Sequence, residues 1–238
     1  MNSQIIFSQS ELALAAYATL NASALSAQKA SLINAGLSDV QADKFALGYT
    51  VLTQYNDTPA EGGLGTSFSA TVFKDVSGNL TLAIRGTEPG DLAPTDADIF
   101  TAGAGFDQIV AMYNWWQRVS NPEGTMVPQY QLVSTPLDPN QVIYIQASVG
   151  QWLQTMPPVA ASGTLVAALN ADGNHKLDIT GPSLGGHLAM AFGSLFQSVV
   201  NQITTFNAPG FKDTTNTRNF FSRLGGVIPS GTATTNVI

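Results

Sequence analysis

The stretch Lys176-Leu177-Asp178-Ile179-Thr180-Gly181-Pro182-Ser183-Leu184-Gly185-Gly186-His187-Leu188-Ala189-Met190-Ala191-Phe192 decides how this chain is read. Its first five residues read as a strand, and from Leu184 the apolar residues recur at helical spacing. Between the two stands Gly-x-Ser-x-Gly. Five letters alone are weak, because a chain rich in Gly and Ser can produce them by chance; lodged between a strand and a helix they make a nucleophile elbow. The tight turn crowds its neighbours, so the positions two before and two after the serine admit no side chain, and here they are Gly181 and Gly185. Ser183 Oγ is then held at the top of a sheet as the candidate nucleophile. The Leu184 N–H points where a substrate oxyanion would develop, and the helix start adds positive partial charge there. The competing reading is a glycine-rich turn used only for close strand-to-helix packing.

Working outward, a helix from Leu184 to about Val200 and a strand from Gln202 to Phe206 continue a βαβ pattern, which predicts parallel pairing. Upstream come a helix over Gly163 to Leu169 and an Asp172-Gly173 turn. The N-terminal part, Ser8 to about Leu47, is Ala- and Leu-rich with helical spacing, and Ser8 and Ser38 stand where N-caps would. It predicts two or three helices within residues 1–48. Tyr49 to Tyr55, Ser67 to Phe73 and Leu80 to Ile84 read as strands, the last two a hairpin turning at Asp75 to Asn79. A Gly-, Pro- and Asp-containing stretch from Gly86 to Pro94 leads to a helix over Ile99 to Arg118 carrying Trp115 and Trp116. Residues 121–158 hold six prolines and little periodicity; they predict a long excursion and are the lid or cap candidate. Thr235 to Ile238 begins a further strand. The whole fits one domain over 1–238.

Composition narrows the function classes. The 238 residues are 44% hydrophobic and suffice for one large core. Nine basic against 16 acidic residues give a formal net charge of −7, which disfavours nucleic acid and anionic lipid surfaces. With no cysteine, disulfides, thiolate–zinc sites and cysteine nucleophiles are excluded. Nothing calls for a metal or a cofactor. The N-terminus lacks the basic region and apolar core of a signal peptide, and no window approaches eighteen uninterrupted apolar residues, so no transmembrane segment is expected.

The run Gly-Pro-Ser-Leu-Gly-Gly-His-Leu-Ala (181–189) resembles the Gly-His-Ser-Leu-Gly-Gly-His-Leu-Ala elbow of bacterial lipases, including those with a downstream calcium-binding repeat domain, and of class 3 lipases. Ala83-Ile84-Arg85-Gly86-Thr87-Glu88 is similar to the class 3 strand and oxyanion loop. Thr205-Phe206-Asn207-Ala208-Pro209-Gly210 is similar to the strand after the elbow helix. The resemblance implies an α/β-hydrolase fold with a mostly parallel central sheet, N-terminal helices and an incomplete C-terminal part. It also implies Thr87 as the second oxyanion donor beside Leu184; read from the residues alone, Thr87 is equally an ordinary turn residue. Arg85 and Glu88 are read as structural. The chain departs from the pattern at Pro182, where the family has histidine. That residue is not the family's base, but proline removes an N–H and restricts Thr180-Gly181.

A serine hydrolase of this kind needs an acid and a histidine after the serine. His175 precedes it by a full strand, roughly 26 Å at ~3.3 Å per residue, and is expected at the opposite end of the sheet. His187 is expected to pack beside the elbow. Asp213 is the candidate acid by topology; the resemblance places the acid after the strand beginning near Thr235. The acid and histidine are therefore expected beyond residue 238, and an unfinished sheet edge would favour self-association. The expected reaction is hydrolysis of a carboxylic ester, a lipid by resemblance, with the Ile99 to Trp116 region and the excursion meeting a lipid–water interface. The other reading is a catalytically incomplete hydrolase-fold protein acting in binding or assembly; acyl transfer would use the same residues. The resemblance favours an extracellular location over a cytoplasmic one.

Overall fold

In a computed structural model of the chain, residues 2–21, 24–87, 104–135, 142–145, 151–171, 173, 175–230 and 234–238 are described. Three helices open the chain: α1 (Ser3–Ala15), α2 (Leu25–Asn34) and α3 (Asp39–Gly48). Ser38 caps α3 in a full capping box, its Oγ taking the Gln41 N–H while Gln41 returns to the Ser38 N–H. The cap expected at Ser8 is not there. The helix starts earlier, Asn2 accepts from the Gln4 N–H, and Ser8 sits inside α1 with its hydroxyl donating to the Gln4 carbonyl.

The strands β1 (Tyr49–Asn56), β2 (Ser69–Asp75) and β3 (Leu80–Ile84) form an antiparallel meander, and β2 and β3 turn at Asp75 to Asn79 as expected. The Asp75 carboxylate closes that turn by accepting from the Ser77 and Asn79 amides. Helix α4 (Phe106–Ser120) carries the two tryptophans; the expected helix began at Ile99, and residues 99–103 lie outside the described residues.

The excursion from 121 to 158 is more regular than the sequence suggested. Strands β4 (Met126–Val133), β5 (Val142–Ile145) and β6 (Gln151–Ala160) pair antiparallel in the order β4-β6-β5 as a separate small sheet. Pro128, Pro157 and Pro158 sit where a sheet tolerates them: the register of β4 on β6 shifts between Val127 and Gln129, opposite Val159 and Met156. The short helix α5 (Val166–Asn170) then leads to β7 (Leu177–Pro182), helix α6 (Leu184–Leu195), β8 (Val200–Phe206), α7 (Thr215–Arg223) and β9 (Thr235–Val237).

Among the described residues the main sheet runs β1-β2-β3-β7-β8-β9, with β3, β7, β8 and β9 parallel and β2 alone running against the rest. The fold is α/β, a mostly parallel sheet with helices on both faces, which agrees with the expected α/β-hydrolase arrangement. Side-chain alternation assigns each face of the sheet its own core. Leu80, Leu82 and Ile84 of β3 and Leu177 and Ile179 of β7 face the core built by α4 and α6, whereas Phe73 and Ala83 face the core of the N-terminal helices. A sheet covered on both faces explains why β2 and β3 are each buried at five consecutive positions. Helix α6 is buried from Leu184 through Phe192, wedged between β7 and β8 on one side and α4 on the other.

Candidate active site

Ser183 stands at the hinge between β7 and α6 with φ 49° and ψ −122°. A β-carbon at positive φ costs energy that the surroundings must offset, and such strain is typical of catalytic positions. Here the backbone is held from both sides: the Ser183 N–H donates to the Phe206 carbonyl of β8 at 2.8 Å, and its carbonyl accepts from Gly186 and His187 at 3.0 and 3.1 Å. The side chain is exposed.

The glycines around it are demanded by space. A Cβ on Gly181 would lie 2.5 Å from the carbonyl carbon and oxygen of Gly185, and one on Gly185 would run into the Ile84 carbonyl and come within 2.9 Å of the Arg85 carbonyl. Two further glycines, to which the sequence reading assigned no role, have the same cause. A Cβ on Gly186 would stand 2.6 Å from the Ala208 Cβ, and one on Gly86 would meet the Tyr17 hydroxyl and lie 2.7 Å from the Pro182 carbonyl. The doubled glycine after the serine was a legible signal for the first; Gly86 is explained by a contact 96 residues away and was not.

Pro182 leaves the elbow undisturbed. Its pairing with Phe206 and that of Gly181 with Thr205 continue the β7–β8 ladder, and the β3 ladder has already ended at Ala83 opposite Thr180. Because β3 and β7 are parallel neighbours, Gly86-Thr87 and Ser183-Leu184 emerge at the same end of the sheet. The Leu184 N–H lies in the first turn of α6, where helix amides have no intrahelical acceptor. Gly86 lies against the Pro182 carbonyl, so Thr87 leaves β3 on the side of the sheet where Ser183 and Leu184 stand. Arg85 is structural in its contacts: its N–H donates to the Ser69 carbonyl and its Nη2 to the Ser67 carbonyl at 2.9 Å. Glu88 lies outside the described residues.

Neither histidine of the chain joins them. His175 precedes β7, at the end of the strand opposite Ser183, with Nδ1 against the Leu169 carbonyl at 3.0 Å. His187 is fully buried; burial pushes its pKa down to about 4, against the opposing pull of the Pro209 and Gly210 carbonyls. Both its ring nitrogens have main-chain partners, Gly105 and Pro209. Asp213 sits in the exposed loop after β8 and pairs with Arg218 at 3.2 Å, with both side chains more than half exposed. Among the described residues no group of three or more His, Asp or Glu could hold a metal ion, and no helix is long and apolar enough to cross a membrane.

A second polar cluster lies away from the elbow. The Asp57 carboxylate, 2% exposed, accepts from the Tyr55 hydroxyl, the Leu64 and Thr66 amides and the Thr66 hydroxyl at 2.7–2.9 Å. Arg118 of α4 reaches the same Tyr55 hydroxyl at 3.0 Å and the Gly62 carbonyl at 3.1 Å. Burial and the neighbouring carboxylate push the Tyr55 phenol up to about 12. This cluster ties the β1–β2 loop to α4.

No family model matches the sequence, and no curated protein matches it. Among solved structures the chain is similar to the Lip2 lipase from Yarrowia lipolytica, at 15% identity and a TM-score of 0.47, covering 98% of this chain and 69% of that one. It is also similar to the M37 lipase, at 13% identity and a TM-score of 0.37, covering 99% of this chain and 66% of that one. The chain therefore spans about two thirds of the length of each, and at these scores the likeness bears no argument about the reaction.

Proposed function

We propose that this chain is the nucleophile-bearing part of a serine hydrolase that cleaves carboxylic esters, with lipids as the substrate class. The observation that carries the reading is Ser183 held at φ 49° between β7 and α6, exposed, in a turn whose glycines leave no room for a Cβ. In this mechanism Ser183 Oγ attacks the ester carbonyl. The backbone N–H groups of Leu184 and Thr87 stabilise the oxyanion, the alcohol leaves, and water releases the acid from the acyl-enzyme.

The general base and its acid come, in this proposal, from polypeptide C-terminal to Ile238. Two observations support that placement. Both histidines of the chain are engaged away from Ser183. Strand β9 pairs Val237 with Phe206, which pairs with Pro182, so chain continuing from β9 emerges level with the serine. The same observation about the histidines favours a second reading, in which the 238 residues act as a binding or assembly module.

The test is a form extended past Ile238, treated with a fluorophosphonate probe and with p-nitrophenyl butyrate beside its Ser183→Ala variant. Labelling and turnover that both vanish in Ser183→Ala are expected. An extended, folded form that does neither would refute hydrolysis and leave the binding reading.

A further inference from the structure

His187 lies one helical turn beyond Ser183, and its ring is satisfied by main chain from two separate segments. The Gly105 N–H, at the N-cap of α4, points to Nε2 at 3.3 Å, and the Pro209 carbonyl lies 3.1 Å from Nδ1. A nitrogen that accepts from an amide holds its lone pair there, so Nδ1 carries the proton and donates it to Pro209. The face of the ring stacks on Phe211 at 3.8 Å and 19°, and Phe211 meets Phe221 of α7 edge-on.

Both tethered segments meet the first turn of the elbow helix through His187, and the second also borders the serine itself. Pro209 follows Phe206, whose carbonyl receives the Ser183 N–H, by three residues. The first half of that loop is held from the other side: the Asn236 side chain accepts from the Ala208 N–H at 3.2 Å, and the Asn207 N–H donates to the Val237 carbonyl at 2.8 Å. Its second half is held by His187.

We infer that His187 is a positioning residue for the serine site: a two-ended spacer that fixes the start of α4 and the β8–α7 loop, which both meet the first turn of the elbow helix, at one separation. The tie stands on the contacts themselves; its meaning for acylation rests on the hydrolysis reading above. An apolar ring of similar size would keep the volume and the Phe211 stack while taking the side-chain partner from the buried Gly105 N–H and from the half-buried Pro209 carbonyl. Glutamine carries a donor and an acceptor at a similar spacing and can restore the tie.

The experiment compares wild type, His187→Phe and His187→Gln by amide hydrogen exchange and by the rate of fluorophosphonate labelling at Ser183 in the extended form. In His187→Phe, exchange at the Gly105, Gly210 and Phe211 amides should rise at least about tenfold, the scale of one or two lost hydrogen bonds, while amides of α1 to α3 are unchanged. Labelling should slow by a similar factor, and His187→Gln should recover both. Unchanged local exchange in a folded His187→Phe, or a folded His187→Gln no better than it, overturns the tie. Local exchange that rises with no change in labelling overturns the positioning role. If wild type does not label, the hydrolysis reading falls, and the exchange comparison still decides the tie.

Discussion

Acid should loosen this protein through one side chain. His187 is buried as a neutral imidazole with a pKa pushed down to about 4, whereas in the unfolded chain it titrates near the ordinary histidine value of 6.5. A group whose folded pKa is depressed gives its full stability above the unfolded pKa and loses it as pH falls through the interval down to the folded one. The separation of the two values corresponds to about 3 kcal/mol, lost progressively between pH 6.5 and 4 at up to about 1.4 kcal/mol per unit. Carboxylates titrate in the lower part of the same range, so the measurement is a difference. Urea unfolding of wild type and His187→Gln is followed by tryptophan fluorescence at several pH values from 7.5 to 4, since Trp115 and Trp116 are buried in α4. Asp107 on α4, Lys212 and Asp213 after Phe211, and Arg218 and Arg223 on α7 are common to both proteins and cancel. Wild type should lose about 3 kcal/mol relative to the variant by pH 4. Parallel curves for the two proteins would refute the assignment of the acid sensitivity to His187.

Other substitutions test the site and its support. Gly181→Ala places a Cβ 2.5 Å from the Gly185 carbonyl, so the elbow must shift by about 1 Å; that displacement should slow fluorophosphonate labelling of the extended form about a hundredfold, and an unchanged rate would show that the turn is roomier than drawn. Asp57→Asn keeps the shape but turns an amide N–H₂ toward donors that now face a carboxylate oxygen; a loss of about 2–4 kcal/mol is expected from two broken bonds and the groups left unpaired, read from the urea midpoint at pH 7, and a neutral change would dismiss the cluster as a structural lock.

Several elements were legible because their cause is local. The capping box at Ser38 and Gln41, the hairpin at Asp75 to Asn79 and the strand–turn–helix around Ser183 each depend on residues a few positions apart, whose spacing carries the geometry. The first cap of α1 was misplaced because Ser8 has the side chain of a cap while the helical spacing already extends back to Ser3. The 121–158 stretch was read as irregular because six prolines masked short strands. Their pairing brings Val127 to Val159 and Val133 to Trp152, partners 32 and 19 residues apart in the chain, which no short-range spacing announces.

What the sequence determined by itself is the strand, the turn at Ser183 and the helix that follows, hence an α/β chain with a strained serine turn, because sterics around such a serine demand glycine at fixed offsets. What only the tertiary structure decided is the surroundings. It closed Gly86 against Pro182, gave each face of the sheet its own core, and placed both nitrogens of His187 on backbone from segments 82 and 22 residues away. A local pattern constrains its neighbours through bond geometry; a buried imidazole acquires its partners only when distant segments converge on it, and no spacing along the chain encodes that meeting.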